Sequence, residues 1–326
     1  MKEALYYRSH EKGVACLLCP KGCVISEGKR GFCRVRTNIG GKLYTANYAA
    51  CTACAIDLIE KKPLYHFYPG SSILSIGTWG CNFACQFCQN WHIAQAEPQA
   101  AELSPVQAVA AAKRAGPSNI GIAYTYSEPS VWYEYVLETA CLARQAGLQN
   151  VVVTNGFINP EPLAQLLPFI DAMNIDVKAF SQKFYQTICA GSLAEVQRTV
   201  ALAVKHCHVE ITTLVVPGLN DDLGELEALA KWLSSMDSNI PLHLSRYFPQ
   251  YKLDAPPTPL ATLEAARDIA RQYLRYVYLG NVGTGGSDTL CPACGALVIS
   301  RGARLAIHLT AAKTCKSCGS KIAVVL

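Results

Sequence analysis

Between Ser72 and Val282, short β-branched runs alternate with longer amphipathic ones, and this alternation leaves few folds open. Strands are expected at 72–78, 119–126, 150–155, 171–177, 208–216, 241–248 and 276–282. Helices are expected between them at 104–115, 130–146, 160–169, 192–206, 222–236 and 260–274. Ser104-Pro105 reads as a cap and first-turn pair, and Gly116 and Gly147 stand where helices should stop. Strands joined by crossover helices form a parallel sheet. Six or seven units fall short of the eight that close a barrel, so the expected fold is α/β, a partial (β/α)6 barrel over 71–285. A cysteine-rich segment, 1–70, precedes it and a small ribbon, 286–326, follows, with the run 283–287 as a hinge-like boundary.

Directly after the first strand comes Gly80-Cys81-Asn82-Phe83-Ala84-Cys85-Gln86-Phe87-Cys88-Gln89-Asn90. Three thiolates at C-x3-C-x2-C spacing can hold three corners of a cubic four-iron cluster. No fourth ligand stands nearby in sequence, so one iron is left open for chemistry. Structural zinc prefers four closed ligands, which argues for a catalytic cluster, although a share in a zinc or four-cysteine site stays open.

The chain has sixteen cysteines in 326 residues, a charged start, Met1-Lys2-Glu3, and no apolar signal-peptide core. A reducing, cytoplasmic location where thiols bind metal is the expectation. The leader reads Cys16-x2-Cys19-x3-Cys23-x9-Cys33, for which zinc, an auxiliary iron–sulfur cluster and unliganded thiols are all open. Cys51-x2-Cys54 follows without an assigned role. At the other end, Cys291-x2-Cys294 and Cys315-x2-Cys318, each followed by glycine, form a zinc-ribbon pattern, with a rubredoxin-type iron site as the alternative. Cys141, Cys189 and Cys207 are isolated and read as core or incidental thiols. Net charge, 29 minus 24, is +5, too mild and dispersed for nucleic acid as the main partner. Lys21, Lys29, Arg30, Arg34 and Arg36 make the leader locally basic. No apolar run approaches a membrane span.

Strand parity predicts which polar groups face inward. With Ile175 and Val177 toward the helices, Asn174, Asp176 and Lys178 turn in; likewise Glu210 and Thr212, and His243, Ser245 and Tyr247. Ligands of such sheets sit at the carboxyl ends of the strands. His243, Arg246, Tyr247, Glu210 and Asn281 are candidate substrate groups, with His243 and Arg246 as catalytic candidates.

The loop CNFACQFCQN resembles the cluster loop of the radical S-adenosylmethionine (SAM) enzymes, including the aromatic Phe87 before the last cysteine. The end of the second strand, Tyr124-Thr125-Tyr126-Ser127-Glu128-Pro129, is similar to the place of a Gly-Gly-Glu element in that family; the glycines are replaced, but Glu128 is kept. Val153-Thr154-Asn155-Gly156 resembles the Asp-Thr-Asn-Gly turn of the glycyl-radical-activating branch, with Val153 in place of the acid. Asn174-Ile175-Asp176-Val177-Lys178 resembles that branch's Asp-x-Lys element, and 214–222 its Val-Pro-Gly turn. Over nearly the whole chain, the leader, Glu60-Lys61-Lys62-Pro63-Leu64-Tyr65-His66-Phe67 and the terminal ribbon resemble the branch called AmmeMemoRadiSam. Cys51 and Cys54 are extra to that pattern.

The resemblance implies a [4Fe-4S] cluster on Cys81, Cys85 and Cys88, and reductive cleavage of SAM to a 5′-deoxyadenosyl radical that abstracts hydrogen from a substrate. It implies that Glu128 takes the SAM amino group, Asp176 the ribose hydroxyls and Lys178 the carboxylate, with Phe87 near the adenine and Asn155 as a weaker contact. It also implies an electron donor such as a ferredoxin or flavodoxin, and Memo-like and AMMECR-like proteins as partners. Three functions remain open: a protein-modifying activase, an enzyme of a small polar metabolite, and a non-catalytic electron carrier or nucleic-acid-binding scaffold.

Overall fold

The computed structural model describes residues 1–283, 287–302 and 304–326. Its centre is an eight-stranded sheet: β1 (Ala53–Leu58), β2 (Ser72–Gly77), β3 (Asn119–Tyr124), β4 (Gln149–Thr154), β5 (Ala172–Asp176), β6 (His208–Val215), β7 (Leu242–Arg246) and β8 (Val277–Gly280). They lie side by side in chain order; β2 to β8 are parallel, and β1 runs antiparallel to β2 at one edge. The crossovers carry α1 (Pro105–Arg114), α2 (Tyr133–Gln145), α3 (Pro160–Leu166), α4 (Leu193–Ala203), α5 (Leu223–Met236) and α6 (Leu260–Ala270). Six βα units thus end on a seventh parallel strand, and the sheet stays open between β1 and β8. The antiparallel β1 is a departure from the expected organisation, because it comes from the segment read as a separate leader.

Local chemistry accounts for the helix starts. Ser104 accepts from the Gln107 amide (3.3 Å) while the Gln107 side chain accepts from the Ser104 amide (2.8 Å), and Pro105 occupies the first turn. Asp222 caps α5 through the Glu225 amide at 2.9 Å. Gly116 (φ +96°) and Gly147 (φ +74°) follow α1 and α2 in the left-handed conformation that ends helices without strain.

The two faces of the sheet bury different things. Leu74, Ile122, Val152, Ile175 and Ile211 pack with the crossover helices. On the other face Ile73, Ala123, Val151 and Ala172 pack against Ile59, Leu64 and Phe67, so the aromatic run after β1 plugs the inside of the sheet. Phe67 also bridges to Val325 at the carboxyl terminus.

The terminal segment forms a three-stranded antiparallel ribbon, Thr289–Leu290, Leu297–Arg301 and Leu305–Ile307. Its Val298, Ile299 and Ile322 share a core with Tyr276 and Tyr278 beside and on β8, so the ribbon is seated on the sheet. The hinge-like run at 283–287 lies partly outside the described residues. Among the described residues no helix is long and apolar enough to cross a membrane.

Candidate active site

A cleft of about 410 Å³ opens at the carboxyl ends of β2 to β8. Such a volume is in the range of small-molecule sites. The loop after β2 brings Cys81, Cys85 and Cys88 to its wall, and Phe87 lines it beside them, packed against Phe184 with ring centroids 6.0 Å apart. The loop turns sharply at Gly80, φ +90°, where a Cβ would meet Val35 at 2.5 Å and the Cys33 carbonyl at 2.7 Å. Only glycine fits there without displacing the leader.

The Cys81 sulfur accepts from the Phe83 amide at 3.3 Å and from Asn155 Nδ2 at 3.7 Å. Asn155 Nδ2 also donates to Asn82 at 2.8 Å, which ties the cysteine loop to the turn after β4. Burial pushes the Cys81 thiol well above its ordinary range and the Cys88 thiol up to about 11. For Cys85 a hydrogen bond with Cys189, and then burial, push in the same direction. Cys189, read as a core or incidental thiol, is fully buried behind Cys85, and its carbonyl accepts from the Ala84 amide at 2.9 Å. An isolated cysteine a hundred residues from the triplet carries no spacing signal.

Glu128 is buried at the cleft wall. Its carboxylate accepts from Ser130 N (2.9 Å), Thr154 Oγ1 (2.6 Å) and Asn155 N (2.8 Å). Burial pushes its carboxyl up, and these three donors oppose the shift. A carboxylate has about four acceptor sites, so one remains, and no cation is among its partners. The N-capping role that a Glu before Pro129 suggests is also real, since Ser130 N is a first-turn amide.

Asp176 ends β5, and Lys178 follows two residues later with Nζ 2.7 Å from Asp176 Oδ2. Burial would depress Lys178, but the charge of Asp176 outweighs it and pushes it above its ordinary range. Both side chains line the cleft, with Thr212, Ser245 and Asn281 on its far wall.

At the position where a glycine was expected, Tyr126 has φ +70°. A non-glycine there costs roughly 1 kcal/mol. Its hydroxyl donates to Asp57 on β1 at 2.9 Å, and the Lys62 ammonium lies 4.8 Å from its ring centre. The leader therefore holds the strained turn from outside.

His243, Glu210, Arg246 and Tyr247 are not brought to the cleft. Parity is right for Glu210 and His243, but both lie near the amino ends of their strands. Glu210 accepts from the Tyr65 amide (2.9 Å), the His66 amide (2.7 Å), His208 Nε2 (2.9 Å) and His243 Nε2 (2.7 Å). His243 is further enclosed by Tyr65 and Tyr278 rings at 4.6 and 5.3 Å. Arg246 instead donates to the Thr258 carbonyl at 2.8 Å, and Tyr247 to the Leu253 carbonyl at 2.7 Å. Glu210, His243 and Tyr247 are held by the protein itself, whereas Arg246 commits only Nε and lies over the Phe248 ring at 5.0 Å.

At the ribbon, Cys291, Cys294, Cys315 and Cys318 have sulfurs all within 4.8 Å of one another, with 3.6 Å between Cys291 and Cys318 and 3.7 Å between Cys294 and Cys315. This is a four-cysteine cluster able to bind a metal.

An open α/β sheet with a cysteine triplet, a spare carboxylate acceptor and an Asp–Lys pair at one cleft defines the class of protein. The family model described as "Radical SAM superfamily" matches residues 75–233. The chain is 45% identical to the uncharacterized protein MJ0808 of Methanocaldococcus jannaschii, over all of both chains. It is 25% identical to the pyruvate formate-lyase 1-activating enzyme of Escherichia coli, over 60% of this chain and 86% of that protein. A radical SAM methyltransferase from Sphaerobacter thermophilus shares the fold with a TM-score of 0.52 at 18% identity, over 71% of each chain. The chain belongs to the radical SAM enzyme superfamily and is related at a distance to the pyruvate formate-lyase activating enzymes. Membership implies a [4Fe-4S] cluster and SAM.

Proposed function

We propose that the protein uses a [4Fe-4S] cluster on Cys81, Cys85 and Cys88 to cleave SAM and abstract hydrogen from a protein substrate. The observation that carries this reading is that three sulfurs of one loop line the same cleft as Glu128, Asp176 and Lys178. Among the described residues no fourth cysteine lines that cleft, so a three-thiolate cluster would keep one iron free. The group fits the donor set: Cys81 already receives two N–H donors, as anionic thiolates of a cluster require. When reduced and bound to SAM, such a cluster supplies a 5′-deoxyadenosyl radical.

The chain's own residues would orient SAM. Glu128 would use its remaining acceptor site on the ammonium, Lys178 would meet the carboxylate, and Asp176, half released from Lys178, would accept from the ribose hydroxyls. Phe87 offers an apolar surface for the adenine. Asn155 would hold Cys81 in place through its amide. The cleft is large enough for a nucleoside.

The protein substrate is favoured by two points. The relative from Escherichia coli is named as an activator of another enzyme. Glu210 and His243, which would recognise a small polar metabolite, are bonded to each other away from the cleft; the strand ends present neutral Thr212, Ser245 and Asn281 to a substrate, and the Lys61 and Lys62 that also line the cleft are paired with Asp57. Zinc at the ribbon completes the reading, since sulfurs 3.6 and 3.7 Å apart suit a tetrahedral ion with metal–sulfur bonds of about 2.3 Å.

The test is anaerobic reconstitution with iron and sulfide, followed by SAM and dithionite. The expected results are 5′-deoxyadenosine formation and a change in the cluster's electron paramagnetic resonance (EPR) signal when SAM is added. Loss of neither signal in Cys81→Ala, Cys85→Ala or Cys88→Ala would sink the assignment.

A further inference from the structure

The leader holds a second group of four cysteines. Cys16 ends the strand Gly13–Cys16, Cys19 and Cys23 lie in the hairpin loop that joins it to Val24–Ile25, and Cys33 lies in a later turn; all four line one void. The ribbon provides the yardstick for what surrounds it. Among the described residues, the ribbon's cysteines are the one group of three or more metal-ligating side chains whose donor atoms all lie within 4.8 Å of one another. The four leader sulfurs stand wider than that, and so do those of Cys81, Cys85 and Cys88.

A single zinc ion with bonds of about 2.3 Å draws its sulfurs into the tight pack seen in the ribbon and leaves no room between them. A cubic cluster interposes iron and sulfide, and so holds its thiolates apart around a larger centre. We propose that Cys16, Cys19, Cys23 and Cys33 bind a second [4Fe-4S] cluster, closed by cysteine on all four irons. The triplet shares the wide spacing but has no fourth cysteine on the cleft, since Cys189 lies fully buried behind Cys85, and that is the difference between an open and a closed cluster.

The surroundings suit an anionic group. Phe32 N–H donates to the Cys23 sulfur at 3.5 Å, and Arg36 Nη1 lies 4.0 Å from the Cys16 sulfur. Arg36 is 1% exposed and lines the void, and its Nε has no partner in the protein. A buried donor left over is costly unless something accepts from it. The Arg36 ion pair with Glu134 at 2.5 Å spends only part of that guanidinium.

Position gives the cluster its role. Asn82, the neighbour of Cys81, lines the leader void, while Cys81 lines the cleft. The Cys33 carbonyl is packed against Gly80. On the other side Cys23 is half-buried and Phe32 is 38% exposed, so a donor protein can reach this end. One electron passes from a reduced iron–sulfur or flavin protein to the leader cluster, and the same electron passes on to the cluster of the Cys81 loop. Each giver is oxidised by one electron and each taker reduced by one, with no bond made or broken. The relay role rests on the reading of the triplet given above; the cluster itself does not.

The experiment is anaerobic reconstitution of the full chain, with iron, sulfide and zinc counted, beside two variants. Wild type should hold about eight irons, and the variant Cys81→Ala/Cys85→Ala/Cys88→Ala about four, with an EPR signal indifferent to SAM. The variant Cys19→Ser/Cys23→Ser should keep about four irons whose signal responds to SAM, and should still form 5′-deoxyadenosine with dithionite. If that variant does not fold, the triplet variant and the wild-type count still decide. An iron-free triplet variant overturns the proposal, whether its leader then carries zinc or no metal. Four irons in wild type, all surviving in the triplet variant, would instead uphold the leader cluster and sink the reading of the triplet.

Discussion

At the amino end of β6, Glu210 receives four donors from the protein; at the carboxyl end of β5, Asp176 has Lys178. Both carboxylates face the same side of the same sheet, and Asn174 and Glu210 are direct neighbours in register. The difference lies in what covers them. The run from Ile59 to Phe67 and the ribbon close the amino end: His66 bonds to Tyr278 at 2.6 Å, and Tyr278 to Thr289 at 2.8 Å. Arg301 from the ribbon lies over the Tyr65 ring at 4.6 Å. Among the described residues nothing of this kind covers the carboxyl end, where Glu128, Asp176 and the cysteines keep unused bonding capacity at the cleft. A buried charge with all its partners is architecture, and one with capacity left over at a cavity is a site.

The largest effect should come from Cys85→Ala. Formation of 5′-deoxyadenosine should fall below detection, while urea unfolding of the metal-free chain changes far less. If turnover persisted, the carboxyl end would not be the reactive one. Glu210→Ala should act the opposite way. Breaking a buried ionic network by removing one partner costs about 3–5 kcal/mol. That loss should be read in urea unfolding, and any folded fraction should retain its SAM-dependent EPR change. A Glu210→Ala protein of normal stability but without SAM cleavage would collapse the distinction between the two ends.

How much of this was legible in the sequence divides along the same line. Period-two parity correctly turned Glu210, Thr212, Asn174 and His243 inward, because β-branched and apolar neighbours must meet the helices. Parity says nothing about height along a strand, and height decides whether a group meets the plug or the cleft. His243 was misread for that reason alone. Tyr247 and Arg246 were misread because the chain leaves the strand there, and the turn that follows, through Thr258, captures both. The leader's contribution was hidden: β1 is a mostly exposed edge strand, Ala-Cys-Ala-Ile-Asp-Leu, whose pairing with β2 and grip on Tyr126 are long-range facts. The cysteine groups were the most legible part, since ligand spacing is local; what filled each group depends on distances between sulfurs, which spacing does not supply.

Acid should separate the ends without any mutation. Burial lowers His66 to about 4, so it stays neutral in the folded state while an unfolded chain protonates it near pH 6.5. Its contribution is therefore full above pH 6.5 and is lost as pH falls toward 4. Glu210 acts in the same direction: burial alone would raise it, but His208 and His243 hold it well below the ordinary range, so its contribution is lost at lower pH still. Urea titrations should show stability falling by on the order of 2–3 kcal/mol between pH 6.5 and 4, with part of the drop absent in His66→Gln. A flat profile would remove the amino-end network as a stabilising unit.

At the carboxyl end, Lys178→Met should weaken SAM binding with little loss of stability. A charge-assisted hydrogen bond contributes roughly 1.5–3 kcal/mol, which corresponds to about a 10- to 150-fold rise in the SAM dissociation constant. The EPR change on SAM titration reads it directly. Unaltered SAM affinity would mean that Lys178 serves Asp176 alone.

The smallest effect belongs to Tyr126, which stands between the two kinds of region. Its backbone is at the cleft, accepting from Asn90 Nδ2 at 2.6 Å, while its hydroxyl is spent on Asp57 outside. Lys62 and Asp57 are bonded at 2.8 Å, so the hydroxyl joins an ion pair that persists without it. Tyr126→Phe should therefore cost only about 1 kcal/mol, with SAM affinity nearly unchanged. Tyr126→Gly would relieve the positive φ but forfeit the ring's packing on Lys62 and free the loop between Thr125 and Glu128. If the tyrosine serves to brace that turn, the glycine variant should bind SAM more weakly than the phenylalanine variant while unfolding at a similar urea concentration. Equal SAM affinity in the two would show that the turn before Glu128 holds its shape through the backbone bonds of Thr125 and Ser127 alone.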